Sequence, residues 1–388
     1  MKIAYVYHQD AADPAVQSGR PAAILNEFIR LGHEVDQIFP LAVPPTGTQL
    51  AKKVGYRLFG KQHRHDRNAD YLEAMAAQFH ARTAGRTFDL VFSPGSEVVS
   101  HLRTDVPIVY CADATFSNLV DYYWDFTGLS AEYLRQGHEQ ESAALAKATL
   151  AVFPSQWAAQ AAIEKHGADP AGVSVLPFGA NLGRENRREE AMAWIDRRPA
   201  DRIRLLFVGR HWERKGGDIV IATALCLIAH GHPVTVDVVG CEVPAEYREV
   251  PWIRAHGLLH QGRQGDMADL RRLYSEAHFL FVPSRAEAFG LIFSEANAFG
   301  VPAVATHTGG IPAVVQHNET GLLLPLEAQP SDYADAIVTT FSDQSRYRAM
   351  ARRAFAEFEE RLNWRAFTWR MLELARERIA ARQLPAAS

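Results

Sequence analysis

At 388 residues the chain is long enough for two domains with separate hydrophobic cores. Hydrophobic residues at 47% and charged ones at 22% form an ordinary globular balance, which excludes a disordered or low-complexity protein. A formal net charge of −4 argues against a dedicated nucleic-acid binder, and three cysteines without a CxxC pattern or zinc spacing offer neither a disulfide framework nor a metal site.

The first half alternates strand and helix patterns, which predicts a parallel, doubly wound sheet. Residues 3–7 read as the first strand and 22–31 as a helix, with Pro21 suited to its first position and Gly32 to its end. A second strand covers 33–38. The stretch after it holds Lys52, Lys53, Tyr56, Arg57, Leu58, Phe59, Lys61, His63, Arg64, His65 and Arg67. Basic residues interleaved with apolar ones fit anionic lipid, a phosphorylated acceptor or plain solvent. Further strands are expected at 90–92, 108–110, Leu150–Phe153 and 173–177, and the first domain closes at 182. The charged run from Arg184 to Arg198 reads as a solvated linker and helical lead-in.

The second domain, 183–363, opens on strand Ile203–Val208 and continues through Val234–Val239, Phe279–Val282 and 302–305. A final amphipathic helix, 364–382, lies in a C-terminal segment 364–388. The chain starts on a strand pattern with no apolar leader, and no apolar run nears the roughly 18 residues that span a bilayer. We therefore expect a cytoplasmic protein, with any membrane contact peripheral, at the inner face and through 52–67.

Two loops concentrate the chemistry. Strand Phe279–Val282 runs into Pro283-Ser284-Arg285-Ala286-Glu287-Ala288-Phe289-Gly290, and the helix beyond carries Glu295. A strand–loop–helix at the carboxyl edge of a parallel sheet is where α/β proteins bind ligands. Ionised carboxylates only accept hydrogen bonds, which suits gripping sugar or ribose hydroxyls. Amides at the helix start, those of Phe289 and Gly290, favour an anion. Strand Ile203–Val208 ends in Gly209-Arg210-His211-Trp212-Glu213-Arg214-Lys215-Gly216-Gly217. Its basic side chains can reach a phosphate from a backbone that glycine keeps out of the way. The glycine after Lys215 excludes a P-loop, and the lack of GxGxxG after the first strand disfavours a dinucleotide enzyme.

The Glu287–Glu295 block resembles the E-x7-E signature of retaining, nucleotide-sugar-dependent glycosyltransferases of family four, which have the GT-B fold. The Arg210–Lys215 loop is similar to that family's G-R…K-G element. The resemblance implies that Arg210 and Lys215, with Arg214 as a third, hold the donor diphosphate. It gives Glu287 the sugar hydroxyls and Glu295 the ribose hydroxyls. His256-Gly257-Leu258-Leu259 falls where family members contact the base through the main chain, which adds Leu258; Phe289, Gly290 and Leu291 complete the donor side. Thr308-Gly309-Gly310 lets backbone approach a ligand, and Asn318-Glu319-Thr320-Gly321-Leu322-Leu323 resembles a structural turn and strand of the family.

In the first domain the family usually shows a glycine pair facing the diphosphate. Here only Gly19 is present, with Arg20 in place of its partner. Asp113 matches the aspartate of a family His-Asp pair, while Ala112 replaces the histidine. Asp113 is therefore a candidate for the reacting centre, a helix N-cap being its structural alternative, and His8 is a second candidate. The aromatic, acid-rich stretch 121–126 suits carbohydrate or a packed core. Blocks beginning at Phe153 and Leu176 also resemble the family, with Phe178 in place of an asparagine and Asn181 of an aspartate.

What the resemblance implies is an α/β, GT-B protein: two Rossmann-like domains facing each other across a cleft, with the C-terminal helix crossing back to the first. It implies a hexosyltransferase that moves a hexose from a UDP- or GDP-sugar to a hydroxyl acceptor, carbohydrate or lipid-linked, with retention. Front-face displacement then needs neither metal nor cofactor, and Glu287, Asp113, Arg210 and Lys215 form the catalytic set. A GT-B sugar-nucleotide epimerase, a phosphorylase and a non-catalytic nucleotide-sugar-binding relative are the alternatives.

Overall fold

A computed structural model of the chain describes residues 1–260 and 263–383, so the end of the C-terminal segment, 384–388, lies outside the described residues. The chain divides into two compact units, Met1–Leu176 with the tail from Thr368, and Pro177–Phe367.

The first unit runs β1 (Lys2–Val6), α1 (Arg20–Arg30), β2 (Glu34–Ile38), α2 (Gly47–Leu58), α3 (Ala69–Thr83), β3 (Leu90–Ser93), β4 (Ile108–Cys111), α4 (Phe116–Leu119), α5 (Ala131–Lys147), β5 (Leu150–Phe153), α6 (Gln156–His166) and β6 (Val173–Val175). The sheet order is β2-β1-β3-β4-β5-β6, and every pairing is parallel. β3, β4 and β5 are buried along their whole length, which is why they read as unbroken apolar runs rather than alternating ones. Edge strand β2 carries Glu34 and Asp36 and is mostly uncovered, as an edge that must resist pairing should be. The sheet grows from β1 in one direction to β2 and in the other to β3, so its topological switch point lies between β1 and β3. Helix α1 begins one residue before Pro21, at Arg20, and Gly19 leads into it with φ of +80°.

The second unit runs α7 (Arg188–Arg197), β7 (Ile203–Val208), α8 (Gly217–Ala229), β8 (Val234–Val239), β9 (Ile253–Gly257), α9 (Gln264–Glu276), β10 (Phe279–Val282), α10 (Leu291–Asn297), β11 (Ala303–Thr306), β12 (Gly321–Leu324), α11 (Pro330–Ser342) and α12 (Gln344–Glu360); α13 (Trp364–Gln383) follows. Its order is β12-β11-β10-β7-β8-β9, again all parallel, with the switch point between β7 and β10. The loops after those two adjacent strands are the Arg210–Lys215 and Glu287 loops.

Two expectations need correction. Strand β9 was not anticipated, because at the sheet edge only Ile253 is buried and no apolar run marks it. The charged run is not all solvated either. Arg198 is buried, and its guanidinium donates to the carbonyls of Phe299 and Gly300 and to the Tyr347 hydroxyl. Peptide oxygens replace the water that a buried cation loses.

Candidate functional site

The second unit brings its two switch-point loops into direct contact. The Arg285 amide donates to the Arg214 carbonyl at 2.8 Å, and Arg214 Nη1 donates back to the Ala286 carbonyl at 2.8 Å. Gly216, φ +76°, makes this approach feasible, since a Cβ there would lie 2.3 Å from the Pro283 carbonyl oxygen. On the rim, Arg285 grips Asp218 with two bonds, at 2.9 and 2.7 Å. The seam positions Lys215 and Glu287, both buried, so that the ammonium pairs directly with Glu287 Oε2. Arg214 Nη1 lies 3.8 Å from the same oxygen. The Gly310 amide, in the loop after β11, donates to the Glu287 carbonyl at 3.1 Å, so part of the Gly309-Gly310 backbone braces the site.

Gly290, with φ of +87°, is the N-cap of α10, so the Gly290 and Leu291 amides have no intrahelical acceptor, and Phe289 directly precedes them. Glu295 sits one turn further on and is buried. The Tyr274 hydroxyl donates to its Oε2 at 3.0 Å. Burial pushes this carboxyl up to about 7, against the lowering pull of the Tyr274 bond, the Asn181 amide and the Lys215 charge. Lys215 thus acts on both glutamates, pairing with one and reaching the other by its field. Arg210 stands apart: it is exposed and makes no side-chain hydrogen bond or ion pair to a described residue. Leu258, just past β9, is 46% exposed and also outside the cluster. In this unit Phe178 packs on Phe289, Trp364 and Phe367, and Asn181 accepts from Trp364 Nε1 at 2.7 Å.

The first unit has its own group at the carboxyl ends of β1, β3 and β4. Gln17, Ser18 and Gly19 all have positive φ, of 46°, 55° and 80°, a left-handed run that turns the chain into α1. Arg20 does not present a charge to solvent. It is buried, donates to the carbonyls of Cys111 and Pro94, and holds Asp113 through Nε at 3.1 Å. Burial works to lower the Arg20 pKa, but Asp113 and the Cys111 thiol more than offset it and the net shift is upward. Asp113 itself is half exposed and is not a cap; Thr115 caps α4, in a capping box with Asn118. Tyr7 and His8 follow β1, with rings 4.4 Å apart, and the Tyr7 hydroxyl and His8 Nδ1 are buried with no hydrogen-bond partner among the described residues.

Residue-type reasoning missed Glu97. It lies in the loop after β3, on the far side of the switch point from Tyr7 and His8, and Arg67 Nη2 approaches it at 3.2 Å. Burial would raise its carboxyl, but Arg67, His8 and its own amide win and hold it low. The available signal was Pro94-Gly95-Ser96-Glu97 directly after a buried strand, the same grammar as the Glu287 loop. Behind it Glu141 is fully enclosed, takes bonds from Ser96 Oγ and the Phe116 amide, and is pushed up to about 7 mainly by burial.

The basic stretch 52–67 is split by the fold. Arg67 is buried beside Glu97 and Gln140, His63 meets Ser130, Arg64 bonds Asp125, and Lys52 and Tyr56 both reach Glu132. In the aromatic stretch, Tyr122 packs on Trp157 and Phe126 on Phe116, while Trp124 is 68% exposed. Among the described residues, no helix is long and apolar enough to cross a membrane.

Residues 189–357 match the family model described as glycosyl transferases group 1. This matched stretch lies wholly within the second unit. It contains β7 to β12 and with them both switch-point loops. The whole chain has the GT-B fold of known glycosyltransferase structures. It is similar to sucrose-phosphate synthase from Thermosynechococcus elongatus, at 21% identity over 98% of this chain and 99% of that one, with a TM-score of 0.69. HepE of Anabaena, in complex with UDP, is 19% identical over 97% and 100% of the two chains, at 0.64. WaaG, a glycosyltransferase involved in lipopolysaccharide biosynthesis, is 15% identical over 97% and 99%, at 0.63. No curated protein matches the chain.

Proposed function

We propose that the protein is a group 1 glycosyl transferase that moves a hexose from a nucleotide diphosphate sugar to a hydroxyl acceptor, carbohydrate or lipid-linked, with retention of configuration and in the cytoplasm. One observation carries the reading: the buried Lys215–Glu287 pair, held where the two central loops of the second unit meet. An ammonium has three donors, so Lys215 can keep Glu287 aligned with one and offer the others to phosphate oxygens. Glu287 then has acceptor capacity left for sugar hydroxyls. Arg210, exposed and unpaired among the described residues, would close on the diphosphate from outside, with Arg214 and the amides of Phe289, Gly290 and Leu291 adding positive potential. Glu295 would accept from the ribose, and Leu258 would flank the base.

In front-face displacement the leaving diphosphate takes the acceptor's proton as the new glycosidic bond forms. The protein's share is to hold the reactants and to stabilise the charge that builds on the phosphate. On this reading the chain itself supplies that stabilisation as cations and amides. The acceptor hydroxyl belongs with Asp113, Glu97 and His8 at the first unit's switch point. That HepE has been seen with UDP and with UDP-glucose favours testing uridine donors first.

The experiment is a panel of UDP- and GDP-sugars with hydroxyl acceptors and direct product detection, run on wild type, Lys215→Ala and Glu287→Gln. We expect one donor to be consumed only with acceptor present, and both variants to lose that turnover. Conversion of the donor without any acceptor would replace this reading with an epimerase, and binding without turnover would replace it with a nucleotide-sugar-binding protein.

A further inference from the structure

We infer that helix α2 and the Trp124 turn form a docking face for an anionic lipid surface. The inference is independent of the transfer reaction, because none of these residues belongs to either switch-point group. Helix α2 buries no residue at all. Leu50, Val54 and Leu58 are 49%, 61% and 81% exposed and Phe59 is 82% exposed, although large apolar side chains are normally covered. At 3.6 residues per turn the three aliphatic positions fall within roughly a quarter of the helix circumference. Lys52 and Tyr56 project from the opposite side, where they tie α2 to Glu132. The helix is therefore anchored by its polar side and presents its apolar side outward, the reverse of a helix that contributes to a core.

A second exposed apolar group adjoins it. Gln62 donates from its backbone to the Gly128 carbonyl at 3.0 Å and from its side chain to the Trp124 carbonyl at 3.5 Å. This joins the segment after Phe59 to the turn carrying the 68%-exposed Trp124. Indole rings favour a bilayer's headgroup level, where one edge is apolar and the other wet.

Charge selects the occupant. Between Asp36 and Asp66 the sequence has no acid. Lys53, Arg57 and Lys61 are exposed and have no ion pair among the described residues, and Asp125 in the neighbouring turn is already bonded to Arg64. An apolar stripe edged by three uncompensated cations, on a chain whose overall charge is −4, complements a negative surface.

The test is sedimentation of the full-length protein with vesicles of phosphatidylglycerol and phosphatidylcholine, against phosphatidylcholine alone. We expect binding to the anionic vesicles only, weakened by raising NaCl to about 0.5 M, because screening shortens the reach of exposed charges. The double variant L58S/F59S should lower partitioning by about tenfold or more through lost apolar burial. K53E/R57E/K61E should abolish the preference for anionic lipid while leaving the apolar stripe intact. Both alter exposed side chains only, so unchanged thermal melting checks that they fold. Equal binding to neutral vesicles, no binding by wild type, or wild-type binding by both variants would each overturn the inference. So would a concentration-dependent dimer in light scattering that L58S/F59S dissolves, since the face would then seat a second copy of the chain.

Discussion

Glu287 and Glu295 have the same side chain and opposite surroundings, and this sets their expected behaviour apart. Glu295 is buried next to a phenol and titrates near 7 because burial penalises its charge. The folded state then holds that proton more tightly than the unfolded chain, whose value is 4.5. Its contribution to stability is fully present below the unfolded value and is lost as pH rises through about 7. Compared with Glu295→Gln, wild type should lose on the order of 3 kcal/mol between pH of about 5 and about 8, read as a difference in urea midpoints. If the two curves stay parallel, Glu295 is ionised throughout. As a ribose acceptor it should mainly support ground-state binding, so Glu295→Gln should raise the donor KM more than it lowers kcat. Glu287→Gln should do the reverse and leave calorimetric affinity for free UDP or GDP nearly intact; the opposite split would exchange the two roles. For Lys215→Ala and Arg210→Ala we expect turnover to fall by roughly 10²–10³, as when one preorganised stabilising donor is lost. Near-normal kcat in both would remove the diphosphate assignment. Arg20 differs in kind, because its partners are carbonyls and Asp113 inside the first unit. Arg20→Leu should cost about 3 kcal/mol or more in unfolding free energy by stranding those groups. A variant as stable as wild type would show that Asp113 is positioned by something else.

At the scale of elements, the seam between the β7 and β10 loops depends on a glycine. Gly216→Ala adds a methyl 2.3 Å from a peptide oxygen in a left-handed conformation. It should destabilise by about 2 kcal/mol or more and lower turnover, since Lys215 is the preceding residue. Gly47→Ala, where nothing lies within 4 Å of the added atom, is the matched control. If both glycine variants melt alike, the close approach has no energetic weight. These elements also show what could be read in advance. Central strands such as Phe279–Val282 announce themselves because both faces are buried, and Pro/Gly punctuation marks the loops behind them. Edge strand β9 has one buried residue and left no such trace. The placement of Lys215 and Glu287 in loops after apolar strands was legible. Their mutual pairing was not, because it depends on β7 and β10 being neighbours, a non-local fact of sheet order. Arg198 was misjudged for a related reason: an arginine reads as solvated until tertiary contacts supply carbonyls for its donors. Glu97 and Tyr7 gave a weaker signal, one carboxylate and one phenol in ordinary-looking strand ends.

For the molecule as a whole, cations and amides are available wherever the proposed chemistry builds negative charge, so we expect activity to survive EDTA. Complete loss on chelation, restored by Mg²⁺ or Mn²⁺, would mean that phosphate charge is handled differently. The two-sheet architecture was the most legible property of the chain, since it needs only the alternation of strand and helix patterns over the full length. The tail of α13 belongs with the first unit, where Met371 and Ala375 are fully buried, Arg378 reaches Asp169, and Arg382 reaches Thr149 and the Ala148 carbonyl. This has a consequence for biosynthesis. A ribosome finishes the strands of the first sheet early, then makes every residue of the second unit before it releases the helix that the first sheet still lacks. Domains generally complete in order of synthesis, amino-terminal first. Here that order is inverted: of the two units the first to begin is the last to be completed, and until α13 emerges the surface meant for Met371 and Ala375 stays uncovered. A nascent chain stalled just after Phe367 should therefore resist protease in its second half while its first half is still cleaved.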